Sequence, residues 1–316
     1  MMNEPTITDI KEAHRLIKPF AHRTPVLTCS ALNEMCNAEM FFKCENFQKG
    51  GAFKIRGAAN AVFSLDDQEV ARGVATHSSG NHAAALALAA RWRGTKAYVV
   101  MPDSAPEPKK NAVAYYGAQI HYCGPTAEAR EEVCAEVLDR TGATFIHSYN
   151  DRRIVSGAGT AAMELCEEIP DLDIVMTPIG GGGLISGTAI AVSAVSPKTQ
   201  VIGAEPEMAD NASCCLQADR VLPASNRDTI ADGLRMPLSE LTFSIIKRHV
   251  RGVVTVSEEG ITQAMRHIWE RMKIIVEASS AVTVAALLTH RIDLSGKRIG
   301  IILTGGNVDL GNLPWR

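Results

Sequence analysis

Four short apolar runs alternate with three helical patterns between Gly73 and His147, and this rhythm narrows the chain to a parallel α/β architecture. The strand-like runs are Val74–Thr76, Ala97–Met101, Gln119–Cys123 and Thr144–His147; the helical ones are Asn81–Trp92, Glu107–Tyr116 and Thr126–Arg140. Thr126 suits an N-cap, with acidic residues in the turns that follow, as a helix dipole prefers. A second alternation starts near Gly157: helix Ala158–Glu168, strand Ile174–Thr177, a glycine cluster, helix Leu184–Val195 and strand Gln200–Ala204. Residues 206–250 read as less regular, with Pro206, Pro223 and Pro237 marking turns. Helices are also expected at Ile7–Ile17, after Ser257 and at Ala281–Leu288, and a last strand at Arg298–Leu303. The expected fold is two α/β domains, each an open, mostly parallel sheet flanked by helices. The smaller, residues 73–149, is inserted into the larger, residues 1–72 and 150–316. The cleft between them, at the carboxyl ends of the strands, is the expected ligand site.

Charge and composition set limits on partners. A formal net charge of −3 without a long basic run argues against nucleic acid or an acidic membrane surface. No apolar stretch reaches spanning length, and Met1-Met-Asn-Glu-Pro5 lacks a signal-peptide pattern. The eight cysteines include no CxxC pair, which points to a reducing, cytoplasmic setting.

Three constellations carry chemistry. Lys54 follows Gly50-Gly51 and Phe53 and opens a helical pattern. An ammonium held against apolar neighbours loses hydration, becomes a usable nucleophile or base, and can form a Schiff base with an aldehyde cofactor. A surface lysine opening a helix is the other reading. Gly180-Gly-Gly-Gly183 follows a strand and opens a helix, so its N–H groups can turn toward one phosphate; a flexible close-approach turn is the alternative. It matches neither a dinucleotide fingerprint nor a Walker loop. His77-Ser-Ser-Gly-Asn-His82 also leaves a strand for a helix and suits a carboxylate, or is an N-capped turn. Glu205 with Asp210 and Asn211 offers oxygen ligands to a hard cation, or forms a solvated acidic loop.

These pieces, in this order, together with Phe41-Phe-Lys-Cys-Glu-Asn-Phe-Gln48, Gly51-Ala-Phe-Lys-Ile-Arg-Gly57, Thr229-Ile-Ala-Asp-Gly233 and Thr304-Gly-Gly-Asn307, carry a resemblance over nearly the whole chain. The chain resembles the pyridoxal-phosphate (PLP) enzymes of the tryptophan-synthase-β fold type. Within them it is similar to the branch of serine racemases, serine/threonine dehydratases and 3-hydroxyaspartate dehydratases. The resemblance implies that Lys54 carries the cofactor and removes the α-proton, that Phe53 packs beside the cofactor, and that Asn81 bonds its ring hydroxyl. It implies that Gly180, Gly181, Gly182, Gly183 and Leu184 hold the phosphate and that Thr304 meets the pyridine nitrogen. Ser78, Ser79, Asn81 and His82 would bind the α-carboxylate, with Ser79 the acid/base of the opposite face.

The implied chemistry is α,β-elimination of water to a keto acid and ammonia, with racemisation as a side activity. Arg130 matches a position that reaches the carboxylate of a small diacid. That match and the tail from Gly305 to Trp315 tilt the substrate toward 3-hydroxyaspartate; a serine/threonine dehydratase or a serine or aspartate racemase is the alternative, and a non-catalytic PLP-binding carrier or regulatory partner is a distant one. Arg152, Arg153 and Arg235 are further candidates for a second carboxylate. The resemblance also implies a divalent cation (Mg²⁺, Mn²⁺ or Ca²⁺) at Glu205, the Ala209 carbonyl and Asn211, where relatives typically carry Asp. A homodimer is expected on the same ground. Ser156-Gly-Ala-Gly-Thr160 and Glu277-Ala-Ser-Ser280 depart from the branch's usual Ala-Gly-Gln-Gly-Thr and Glu-Pro-Ser/Thr.

Overall fold

The computed structural model describes residues 4–105, 107–224, 228–289 and 291–315. In chain order the elements are α1 (Ile7–Ile17), β1 (Val26–Leu27), α2 (Ser30–Cys36), β2 (Glu39–Cys44), α3 (Lys54–Phe63), α4 (Asp67–Arg72), β3 (Val74–His77), α5 (Asn81–Arg93), β4 (Ala97–Pro102), α6 (Glu107–Tyr115), β5 (Gln119–Cys123), α7 (Ala127–Thr141) and β6 (Thr144–Phe145). There follow α8 (Arg152–Glu168), β7 (Ile174–Pro178), α9 (Gly183–Val195), β8 (Gln200–Pro206), α10 (Asn211–Ala218), α11 (Glu240–His249), β9 (Gly252–Val256), α12 (Glu258–His267), α13 (Ala278–Leu288) and β10 (Arg298–Leu303).

The strands form two sheets. A six-stranded sheet has the order β1-β2-β10-β7-β8-β9, parallel except for β1 against β2. A four-stranded, wholly parallel sheet has the order β5-β4-β3-β6 and draws every strand from residues 74–145. Alternation along the strands sets the two faces of the larger sheet. Phe42, Met176 and Ile301 pack with Val282 and Ala285 of α13 on one side; Val175 and Ile302 pack with Ala161 of α8 and Ile185 of α9 on the other. No helix of the described residues is long and apolar enough to cross a membrane. All eight cysteines are unpaired.

Three expectations change. The helix placed at Ala158 begins at Arg152, capped by Asp151. Gly157 and Gly159 do not break it; they let neighbours close in. A β-carbon on Gly157 would lie 2.4 Å from the Arg56 carbonyl oxygen, and one on Gly159 2.7 Å from that of Gly187. The stretch 206–250 contains α10 and α11, the latter started by a reciprocal Ser239–Thr242 capping box, and its prolines sit outside both helices. The strand expected to reach His147 stops at Phe145, because the chain turns: His147 Nδ1 accepts N–H groups from Tyr149 and Asn150.

Below the cleft lies a buried charge network. Arg56, on α3, makes two hydrogen bonds to the Glu45 carboxylate and two to that of Glu164 on α8. Lys43 on β2 joins Glu164 at 2.8 Å and the Thr24 carbonyl at 2.7 Å. The helix that opens with Lys54 is thereby fixed to both β2 and α8.

Candidate active site

Lys54 is placed by its backbone neighbours. The Phe53 N–H donates to the Thr304 carbonyl at 2.9 Å, and Ala52 bridges Gly305, so the turn before α3 is tied to the end of β10. Lys54 Nζ donates to the Ser148 carbonyl at 3.2 Å and faces the Phe53 ring. Burial lowers its pKa to about 8, against the opposing pull of the Glu277 carboxylate. Glu277 itself is pushed up to about 7 by burial and by nearby Asp232. Thr304 is buried, with its hydroxyl 3.0 Å from that of Ser280.

The glycine run is a cradle that β-carbons would fill. On Gly181 one would sit 2.3 Å from the Tyr149 ring, and on Gly180 2.9 Å from the Gly233 carbonyl oxygen. Gly182 has φ +86°, which glycine adopts freely. No side chain caps α9 at Gly182, leaving its first N–H groups directed at the cleft that Gly180–Gly183 and Leu184 line. A buried lysine whose pKa is lowered, a helix start with no side-chain cap and a buried hydroxyl fit an aldehyde, a phosphate and a pyridine nitrogen in turn. The residues fit pyridoxal phosphate.

Ser78, Ser79, Asn81 and Arg130 line the same cleft as Lys54. Asn81 spans it: Nδ2 donates to Glu277 Oε1 at 2.8 Å, while Oδ1 accepts from Asn307. His82 is buried with Nε2–H toward the Ile146 carbonyl, and burial with the nearby Lys54 charge lowers its pKa to about 3. Its imidazole is neutral and turned inward, so only its backbone N–H remains to serve a carboxylate. Among the arginines proposed for a second carboxylate, Arg130 alone reaches this cleft, and its Nε lacks a partner. Arg152 pairs with Asp9, Arg153 with Asp151, and Arg235 donates to the Thr229 carbonyl.

The loop expected to hold a cation is built around Glu205. Glu205 is buried at the end of β8, accepting the Ala212 and Ser213 N–H groups at 3.0 and 2.7 Å. The Asn211 amide is committed elsewhere: Nδ2 to the Leu222 carbonyl at 3.0 Å, Oδ1 to the Leu238 N–H at 2.8 Å. No cluster of three His, Cys, Asp or Glu side chains suited to a metal occurs among the described residues. The expected third ligand, Asn211, spends both of its amide atoms on the Leu222 and Leu238 backbone contacts.

Sequence reading passed over Tyr149, Ser280 and Lys109 as site residues. Tyr149 follows the end of β6, where an α/β fold places functional loops, and that position was its available signal.

Comparison with known proteins agrees with this geometry. The family described as "Pyridoxal-phosphate dependent enzyme" matches residues 17–305. The chain is 50% identical over 98% of its length, and 99% of the relative's, to a beta-hydroxyaspartate dehydratase of Paracoccus denitrificans (strain Pd 1222). It is 49% identical to a serine racemase of Arabidopsis thaliana, over 97% of this chain and 94% of that one. The solved structure of a serine racemase from Dictyostelium discoideum superposes with a TM-score of 0.92 at 47% identity, covering 97% and 99% of the two chains. With Lys54, the glycine cradle and Thr304 assembled at the strand ends, the chain belongs to the pyridoxal-phosphate-dependent enzymes of fold type II.

Proposed function

We propose that this protein is a PLP-dependent ammonia-lyase that dehydrates a β-hydroxy amino acid, 3-hydroxyaspartate, to oxaloacetate and ammonia. The observation that carries the substrate is Arg130: a half-buried guanidinium with an unpartnered Nε in the cleft that holds Lys54. A second carboxylate needs such a partner. The full-length similarity to a beta-hydroxyaspartate dehydratase supports the same choice.

Pyridoxal phosphate, when bound, supplies an electron sink for the pair left on Cα. Gly180–Gly183 and the N-terminus of α9 hold its phosphate, and Thr304, itself held by Ser280, offers a neutral hydroxyl to its ring nitrogen. Ser78, Ser79 and the α5 N–H groups orient the α-carboxylate. Lys54 Nζ, neutral in a large fraction near pH 8, takes the Cα proton. The β-hydroxyl leaves with a proton as water; the enamine released takes up one water and yields the keto acid and ammonia. Ser79 faces the same cleft and can return a proton to Cα from the other side, which supports racemisation as a second reading alongside the serine racemase relatives.

The proposal extends to a divalent cation held by Glu205 and the Ala209 carbonyl without Asn211, supported by a buried carboxylate that has no basic side chain among its hydrogen-bond partners. The unpaired cysteines support a reducing, cytoplasmic setting. A homodimer belongs to the proposal as well, tested by light scattering.

Keto-acid release with PLP and Mg²⁺ decides between substrates. Oxaloacetate from a 3-hydroxyaspartate isomer well above pyruvate from L-serine or 2-oxobutyrate from L-threonine is the expected result. The reverse order moves the protein to the serine/threonine dehydratases, and no keto acid at all moves it to the racemases or to a carrier.

A further inference from the structure

Lys109 is a cation in this cleft to which the site reading above gives no task. It lies on α6, and its ammonium pairs with the Asp232 carboxylate, which comes from the loop between α10 and α11. Both side chains line the cleft with Lys54 and Arg130. The ammonium stands over the carboxylate-binding loop: a methyl placed on Gly80 would lie 3.9 Å from Nζ. Neither partner is fully withdrawn from solvent, at 27% and 42% side-chain exposure, so an incoming anion can reach the pair.

We propose that Lys109 is a specificity residue for dicarboxylate ligands. Asp232 holds its ammonium until a ligand's second carboxylate takes that place, working with Arg130. Exchanging one carboxylate for another keeps the lysine paired throughout, so binding a diacid leaves no bare charge in a partly dry cleft. It also explains how a doubly negative ligand is tolerated beside Asp232 and Glu277: the displaced Asp232 turns to solvent. A monocarboxylate leaves the pair intact and gains nothing from it. This rests on the dicarboxylate reading above, but it concerns binding and is tested without relying on turnover.

The ordinary alternative is a latch that ties α6 to the opposite side of the cleft and treats all ligands alike. The two readings give different signs. Succinate and propionate are titrated into the holoenzyme and into holo Lys109→Met and Asp232→Asn, followed by the cofactor's visible absorbance. Thermal melting confirms that each variant is folded, and Lys109→Arg serves as the conservative replacement. We expect Lys109→Met to weaken succinate at least tenfold while propionate changes less than threefold. Asp232→Asn should tighten succinate, and Lys109→Arg should recover most of the loss. Equal weakening of both acids by both variants would establish the latch and overturn the proposal, as would a Lys109→Met protein that binds succinate normally. If the enzyme turns over only L-serine, yet Lys109→Met weakens succinate and Asp232→Asn tightens it, the substrate reading fails and this one stands.

Discussion

Arg56 and Glu164 form a two-pronged ion pair, 2.9 Å on each arm, in which neither side chain is more than 3% exposed. Arg56 lies two residues beyond Lys54 on α3, so the pair connects the helix carrying the reactive amine to α8 behind it. Glu45 completes the arrangement by holding the other edge of the guanidinium. Removing the arginine would leave two carboxylates in a dry interior: among the described side chains, Lys43 and the His14 ring stand beside Glu164, and only the Thr24 hydroxyl donates to Glu45. Breaking such a buried group from one side costs about 3–5 kcal/mol. Arg56→Met should therefore lower unfolding stability by that order in urea titration, with Glu164→Gln milder because the guanidinium keeps Glu45. A loss below about 1 kcal/mol would mean that the network contributes little to the fold.

Gly181→Ala should weaken the cofactor. Its new methyl would meet the Tyr149 ring at 2.3 Å, and relief requires moving either that ring or the cradle. Overpacking of this kind costs about 1–3 kcal/mol, or roughly five- to 150-fold in Kd if it falls on the bound state. Titration of cofactor-free protein with PLP reads this directly. Adding Tyr149→Ala should recover part of the loss; a single variant with unchanged affinity would show that the cradle does not contact the phosphate.

Much of this cleft is legible because its chemistry sits in contiguous strings: Ser78–His82, the four glycines and Thr304 each follow a strand that the apolar pattern marks, and Phe53-Lys54 stands where a helical pattern opens. The strand–helix rhythm was equally plain, since alternating apolar runs need only local reading. What stayed hidden depends on contacts between distant segments. Gly157 looks like a helix breaker until the Arg56 backbone is seen against it. Asn211 looks like a ligand until Leu222 and Leu238, 11 and 27 residues away, claim its amide. Lys109 offers no signal in its own stretch, because its partner Asp232 lies 123 positions further on.

Cofactor uptake should follow the ionisation of Lys54. Burial brings this amine from the ordinary 10.5 to about 8. Only the neutral amine attacks an aldehyde, so below that value the protonated fraction holds the rate down and above it the rate levels off. The rate of absorbance growth on mixing cofactor-free protein with PLP should rise with pH to a midpoint near 8. A midpoint near 10.5 would show that the amine is hydrated as any surface lysine is. Lys54→Arg should bind PLP without the covalent change in absorbance and release no keto acid.

Asn211→Asp should convert a weak cation site into a strong one. In the native chain Glu205 is the one carboxylate to which the proposed site assigns a ligand role, and the neutral Asn211 amide serves the Leu238 N–H and the Leu222 carbonyl instead. An aspartate there can still accept from Leu238, but it cannot donate to Leu222, so one oxygen is released and a second negative charge is set near Glu205. Two carboxylates with no basic side chain between them repel each other, and a divalent cation removes that cost. Melting the native protein in EDTA and then across a MgCl₂ series should show a small rise in Tm. The variant should melt lower than the native chain in EDTA, regain the difference in Mg²⁺, and half-saturate at about tenfold lower concentration or less, a gain of roughly 1.4 kcal/mol. A variant whose Tm ignores Mg²⁺ would remove the cation from this loop altogether, and Glu205 would then be a cap for the first N–H groups of α10 and nothing more.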